Sequence, residues 1–217
     1  GTLNPYAVLK PVQVGGVTVK FATLHNADYI KTKDLRIGDW VEVERAGEVI
    51  PQVVRSIRGK RTGEELIFEM PSNCPACGSP VINPTDEVMQ RCIHAACPAQ
   101  LFELLKHFSS REAMDIDGMG EKLIYRLLHQ GSLRDISDIY FLQYTDLIGL
   151  DHMGDRSASK ILAAIEKSKS RSLSHVIFSL GILHVGAETA GLLAKTFGSI
   201  QELSRATQSD MESIPNI

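Results

Sequence analysis

The chain has 217 residues, a net charge of −3 and 43% hydrophobic residues, so it is long enough for one or two domains with buried cores. It contains no apolar run of the roughly 18 residues that a membrane span needs, and it lacks the pattern of a secretory signal. We therefore expect a cytoplasmic protein without membrane contacts. Any nucleic-acid binding would use placed charges and backbone donors, because bulk positive charge is missing.

Residues 1–70 alternate short apolar runs with turn signals. Val17 to Phe21 follows Gly15-Gly16, and Trp40 to Val43 follows Ile37-Gly38-Asp39. The period of two predicts about five strands, which fit a small all-β barrel, the oligonucleotide-binding (OB) fold being common at this length. An SH3-like or other small barrel remains the alternative, because barrels host many roles.

Residues 71–100 have little periodic structure and hold all the cysteines, as two pairs that each fit one tight turn: Cys74 and Cys77, then Cys92 and Cys97. Zinc prefers four tetrahedral ligands, and four thiolates leave no open position, so we predict a structural zinc module. His94 is a competing ligand. Two disulfides or four unrelated thiols are the alternative, but clustered cysteines without a secretory signal favour metal and a reducing compartment.

From residue 101 onward apolar residues recur at helical spacing, which predicts an all-α domain. Within it, glycines 34 and 32 residues apart each end a similar five-residue segment: 116–120, 150–154 and 182–186. These segments predict the same short turn between two helices, repeated along the chain. The sequence stops at residues 214–217, where a fourth such glycine would fall, so we expect the fourth hairpin to be cut short.

Each turn would place a backbone bend and the free N–H groups of a new helix at the surface, and such groups form a seat for phosphate. Its third residue is Gly118, His152 or His184, and histidine adopts a positive φ more readily than most residues, although less freely than glycine. Because the turn is repeated, several such phosphate-binding sites would lie along a DNA duplex. We predict contacts with DNA at the glycines of the turns: Gly118, Gly120, Gly154 and Gly186.

The first two repeats also carry basic residues at the second and sixth positions of the following helix: Lys122 and Arg126, then Arg156 and Lys160. Positions four apart share a helix face, so each pair would meet a phosphate near the helix N-terminus. The alternative is an ordinary solvated pair screened by neighbouring carboxylates. The third repeat has Glu188 and Leu192 at these positions, so we rank it below the other two.

Several stretches resemble motifs of bacterial NAD-dependent DNA ligases: residues 21–26, 34–39, 45–53, the cysteine module and 97–100. Together with the hairpins they cover nearly the whole chain. The resemblance implies a multidomain segment of those enzymes, in which residues 1–70 form an OB-fold domain, 71–100 a four-cysteine zinc finger and 101–217 a helix-hairpin-helix domain.

The Lys-x-Asp-Gly motif that supplies the adenylated lysine of these ligases is absent from the sequence. The resemblance therefore places the adenylation domain, the N-terminal NAD-reading domain and the BRCT domain outside this chain, and no catalytic residue within it. It implies an enzyme that seals 5′-phosphate/3′-hydroxyl nicks during DNA replication and repair, using NAD and Mg²⁺ at sites outside these residues. This segment would bind and encircle nicked duplex DNA, with the adenylation domain as a partner, in the nucleoid-associated cytoplasm.

In the barrel, the resemblance implies that Arg45, with Val49 and Ile50 at the tip of a strand pair, enters the minor groove. The alternative for Val49 and Ile50 is strand core, but neighbouring strand residues face opposite sides, so at least one needs an external partner. The densest basic run would contact the DNA backbone or only solubilise a loop: Arg55, Arg58, Lys60 and Arg61.

The chief competing interpretation is a non-catalytic protein that binds DNA junctions, of the RuvA kind, since barrels and hairpin pairs occur there too. The zinc module argues against it. A hydrolase has no supporting spacing, because Ser174-His175 and Asp151-His152 are chance neighbours in a chain with seven histidines.

Overall fold

The computed structural model describes residues 1–47, 49–84 and 88–215. Glu48, in the predicted motif 45–53, lies outside the described residues, as do Asn216 and Ile217 at the predicted end of the fourth hairpin. The chain divides into two compact units, Gly1–Cys97 and Pro98–Ile217. Within the described ranges, no helix combines the length and apolar character that crossing a membrane requires.

The first unit begins with short strands and one helix: β1 (Tyr6–Val14), β2 (Val17–Thr23), α1 (Ala27–Thr32), β3 (Arg36–Ile37), β4 (Val41–Ala46), β5 (Ile50–Ser56) and β6 (Leu66–Ile67). A curled sheet has the order β1-β2-β5-β4, and β3 pairs separately with β6. The β1–β2 register shifts between Val8 and Val12, next to Pro11, which has no N–H for the ladder. The predicted β-rich N-terminal segment is confirmed.

Its core lies inside the curled sheet. Val53 of β5 is fully buried and packs with Ala22 of β2, Ile30 of α1 and Leu35. Asn26 is the N-cap of helix α1, and its side chain accepts the Tyr29 N–H at 2.8 Å; the helix ends before Asp34, which has a φ of 49°. The cap and the turn bring Leu35 back onto the sheet.

The rest of the first unit has little regular structure. Strand β7 (Val81–Ile82) pairs with β8 (Arg91–Cys92), and the N-terminal residues join them: the Leu3 N–H donates to the Gln90 carbonyl at 2.9 Å and the Cys92 N–H to the Gly1 carbonyl at 2.8 Å. Leu3 also packs against the buried cysteines. Two-residue strands hold little apolar surface, so the cysteines themselves form the centre of this segment.

The second unit is helical: α2 (Pro98–Ser109), α3 (Glu121–Gln130), α4 (Tyr144–Ile148), α5 (Asp155–Ser168), α6 (Leu173–Ser179), α7 (Ala187–Phe197), α8 (Ile200–Arg205) and α9 (Gln208–Glu212), with a 3-10 turn at Ser137–Phe141. Leu105, Ile124 and Ile161 belong to a core that α2 to α5 share. Ile177 and Leu193 belong to a separate core of α6 and α7. The first two hairpins are therefore one packed body.

Candidate metal centre and nucleic-acid interface

The four cysteines meet at one point of the first unit. Their sulfur atoms all lie within 4.8 Å of one another, with Cys77–Cys92 at 3.6 Å and Cys74–Cys97 at 4.0 Å. A zinc ion bonded to four sulfurs at about 2.3 Å in a tetrahedron separates them by about 3.8 Å, so these residues fit zinc. The closed shell leaves no position for a substrate, and the ion's contribution is structural.

A tight turn shapes the first cysteine pair. Gly78 has a φ of 71°, and its N–H donates to the Cys74 carbonyl at 2.8 Å. Hydrogen bonds from Ser79 lower the pKa of the Cys77 thiol to about 5, which favours the thiolate that zinc binds. The His94 side chain also bonds to Cys77 and lies outside the four-sulfur group. From there it can orient a ligand without being one.

The five-residue turns have the same backbone in each repeat; we call them turn 1 (residues 116–120), turn 2 (150–154) and turn 3 (182–186). The third residue has a positive φ in each, 91° for Gly118, 61° for His152 and 66° for His184. The N–H of the fourth residue donates to the carbonyl of the first at 3.0–3.1 Å. The final glycine is extended and is the N-cap of the next helix. The predicted repeat of one turn is confirmed.

Turn 1 depends on glycine at residue 118 for a second reason. A Cβ atom there would lie 2.8 Å from Cγ1 of Ile161, so the turn rests directly on α5. A Cβ atom at Gly120, Gly154 or Gly186 would meet open space, and each of these glycines is extended. Packing therefore does not require glycine at these three positions, and the absence of a side chain there leaves the helix N-terminus uncovered.

The two basic positions of each helix have different surroundings. At the second position, Lys122 and Arg156 are exposed and have no ion-pair partner among the described residues. At the sixth position, the guanidinium of Arg126 donates to the carbonyl of Asp151 in turn 2, and Lys160 pairs with Asp117 of turn 1 at 2.6 Å. Each sixth-position cation thus reaches the turn of the other hairpin, a role that the sequence spacing did not predict.

Turn 3 differs from the other two in its side chains. Ile182 and Leu183 are exposed, and Glu188 lies in the first turn of α7. A carboxylate there stabilises the helix N-terminus but opposes an anion. Turn 3 offers backbone donors and an apolar tip, and its lower rank as a phosphate site stays a prediction.

At the tip of the β4–β5 hairpin, Val49 is 71% exposed and Ile50 is 59% exposed. The interpretation of either as strand core is wrong, since both side chains are exposed although Ile50 pairs with Ala46 in the ladder. Arg45, which precedes the tip, is half-buried and donates to the Gly15 carbonyl at 3.4 Å. The described tip is therefore apolar, with one cation at its base.

The arginines of the basic run in the barrel form ion pairs with carboxylates of the same unit. Arg55 pairs with Glu42 at 2.6 Å, and Arg58 lies 3.8 Å from Asp34, both arginines remaining exposed. Arg61 is only 16% exposed and bonds at 2.7 Å to both Asp34 and Asp39. Its hydrogen bonds hold the pKa of each carboxyl below the ordinary value. For Arg61 both sequence interpretations are wrong, because it ties together the loop around Asp34 and Asp39.

A curled β unit, a four-cysteine metal centre and repeated helical hairpins define a class of multidomain nucleic-acid-binding proteins. Comparison with known proteins identifies the domains. Residues 1–65 match the NAD-dependent DNA ligase OB-fold domain, 73–99 the NAD-dependent DNA ligase C4 zinc finger domain and 175–217 the helix-hairpin-helix motif. The fold class and the zinc cofactor predicted from the sequence are confirmed.

Proteins called DNA ligase are similar along the chain. The one from Geobacter metallireducens is 50% identical over 217 residues, covering 100% of this chain and 32% of the relative. That from Desulfosudis oleivorans is 50% identical over 206 residues, 95% of this chain and 30% of the relative. The DNA ligase from Anoxybacillus flavithermus is 46% identical over 217 residues, which are 100% of this chain and 32% of that relative.

These matches confirm the resemblance. The chain holds the OB-fold domain and the C4 zinc finger domain of NAD-dependent DNA ligases together with a helix-hairpin-helix motif, and it is similar throughout to proteins called DNA ligase. It spans about a third of the length of the curated relatives it matches.

Proposed function

We propose that this chain is the DNA-binding portion of an enzyme that seals 5′-phosphate/3′-hydroxyl nicks in duplex DNA during replication and repair. The observation that carries the proposal is the repeated turn, in which a positive-φ residue and an extended glycine leave helix N–H groups open at the surface. Such donors bind phosphate without reading bases. A ligase needs this kind of grip, because nicks occur in any sequence.

In the two-hairpin body, we assign phosphate contacts to the turn glycines and to the second-position cations Lys122 and Arg156, which no described carboxylate pairs. Arg126 and Lys160 hold the two turns against each other and thereby set the spacing of the two seats. Lys160 remains exposed, and an exposed ion pair contributes only about 0–1 kcal/mol, so its bracing is weaker than that of the half-buried Arg126.

In the barrel, we assign Val49 and Ile50 to the minor groove, where exposed apolar side chains wedge base steps apart. Arg45 would approach the negative potential of the groove, and Arg55 and Arg58 the backbone. Both of the latter have carboxylate partners, so a phosphate would have to compete with Glu42 or Asp34.

The catalytic chemistry belongs, on this proposal, to residues outside the chain. NAD and Mg²⁺ would act at an adenylation domain that forms the enzyme-AMP intermediate, and this segment would help enclose the nicked duplex against it. Phosphoryl transfer of this kind depends on positioning and charge neutralisation, which a sequence-independent clamp supports. We place the protein in the cytoplasm, with the nucleoid.

The test is binding of the chain to nicked and intact duplexes over a range of salt concentrations, together with an adenylylation assay. We expect affinity to fall steeply with salt, because each phosphate contact releases counterions, and no AMP label from NAD. Affinity that does not change between dilute and concentrated salt would refute the DNA-binding assignment. Labelling of the purified chain would refute the placement of the catalytic lysine elsewhere.

A further inference from the structure

An open groove of about 660 Å³ lies beside turn 1, between the end of α2 and the end of α5. Its lining includes the backbone of Gly118 and Gly120 together with Ser109, Arg111 and Lys167. The groove is far larger than a single phosphate needs, and its lining includes both Glu121 at the start of α3 and Lys167 near the end of α5.

Some charged side chains of the groove form ion pairs with described residues and others do not. Lys106 is paired with Glu103 at 3.0 Å and lies 3.8 Å from Glu121, while Asp117 is held by Lys160. That ion pair, helped by the charge of Lys167, keeps the pKa of the Asp117 carboxyl below its ordinary value. Asp115 is an acidic member of the lining without an ion pair among the described residues. Two cations of the lining, Arg111 and Lys167, likewise have no ion-pair partner there.

Ser109 supplies an independent sign of a ligand. It is 5% exposed, and its hydroxyl has no hydrogen-bond partner within the described ranges. The other buried serines of the described chain are satisfied within their own helices: Ser168 donates to the Ile165 carbonyl and Ser179 to the Val176 carbonyl, each at 2.7 Å. A buried hydroxyl left without a partner is costly, so a polar group that reaches Ser109 would be favoured.

We propose that this groove binds a second phosphate of the strand held at turn 1. The amides at Gly118 and Gly120 take one phosphodiester, and Arg111 and Lys167 take a neighbouring one, with Ser109 donating into the groove between them. This inference rests on the proposed DNA-binding function. It extends the footprint of the first hairpin onto the end of α5, which belongs to the second hairpin.

The experiment measures the slope of log affinity against log salt for duplex DNA in Lys167→Gln and Arg111→Gln, with Lys169→Gln as the matched control. Lys169 follows α5 by one residue, carries the same charge and is paired with Glu166 outside the groove. Each phosphate contact contributes about 0.9 to the slope, so we expect Lys167→Gln and Arg111→Gln to lower its magnitude by about 1 each and Lys169→Gln to leave it unchanged. Ser109→Ala should lower affinity without changing the slope.

The outcomes separate the two proposals. If the unmodified chain shows no salt-dependent binding, the proposed function fails. If it binds but the two groove variants behave like Lys169→Gln, with thermal unfolding unchanged, the groove assignment is overturned. Inorganic phosphate at matched ionic strength provides a second arm: we expect it to displace duplex no better than chloride. Stronger displacement that Lys167→Gln abolishes would assign the groove to free phosphate and contradict a strand site.

Discussion

At the scale of single residues, the role of a cation is decided by what its side chain contacts. Lys122 and Arg126 lie one helical turn apart in α3, yet Lys122 has no ion-pair partner in the described chain, while Arg126 donates to a carbonyl of turn 2. From their sequence spacing alone, both residues are predicted to contact phosphate. On the proposed function, Lys122 therefore contacts phosphate, whereas Arg126 braces turn 2.

Lys122→Gln and Arg126→Gln should therefore weaken DNA binding in different ways. We expect Lys122→Gln to reduce the salt slope by about 1, since it removes one phosphate contact. Arg126→Gln should lower affinity at every salt concentration with the slope near that of the unmodified chain, because it loosens turn 2. Titration of a labelled duplex at several salt concentrations measures both. Equal loss of slope in the two variants would show that Arg126 leaves turn 2 to bind phosphate.

The glycines of turn 1 should likewise differ when each is replaced. Gly118→Ala combines a φ of 91° with a Cβ 2.8 Å from Ile161, so we expect it to lower the free energy of unfolding by about 1–3 kcal/mol. Gly120→Ala meets open space at an extended φ and should leave stability nearly unchanged. Thermal or denaturant unfolding compares them. A loss of stability as large in Gly120→Ala would contradict the packing argument.

At the scale of elements, the zinc finger and the hairpins obtain their stability from different sources. The strands β7 and β8 have two residues each, and Cys74, Cys92 and Cys97 are the buried residues at their centre. The hairpins instead bury aliphatic side chains in cores of their own. Bound metal should therefore contribute far more to the stability of the zinc finger than to that of the hairpins.

Removal of zinc with a strong chelator should unfold the segment around the cysteines, because metal-binding free energy is folding free energy there. We expect one zinc per chain, loss of dispersed amide signals near the cysteines on chelation, and retention of most helical signal by circular dichroism. Cys97→Ser should reproduce the loss, whereas His94→Gln should retain the metal. Metal analysis that finds no zinc in a folded, reduced sample would contradict this account.

The sequence predicts local features well and long-range contacts poorly. The positive φ in each turn is readable from five residues, and the metal centre from the pairing of its cysteines. The burial of Arg61 depends on Asp34 and Asp39, more than 20 residues away, and the groove depends on the end of α5 meeting the end of α2. Contacts between residues far apart in the sequence leave no local sequence pattern, so nothing in the sequence pointed to Ser109 or Lys167 as site residues.

At the scale of the whole molecule, the net charge of −3 leaves little general attraction for DNA. Binding must come from placed donors: backbone amides at the turns, a few unpaired cations and an apolar barrel tip. On the proposed function, such a surface would hold the phosphate backbone wherever a nick occurs and would read no particular sequence. This matches the demands of a ligase, on the proposed function.

The most direct test of this account follows the backbone amide signals of turns 1, 2 and 3 by nuclear magnetic resonance as nicked duplex DNA is added. We predict that the largest changes fall on the amides of the third and fifth residues of turns 1 and 2 and on the first turns of α3 and α5, with smaller changes in turn 3. Changes confined to other surfaces, with the signals of all three turns unmoved at saturation, would contradict the claim that these turns hold the DNA backbone.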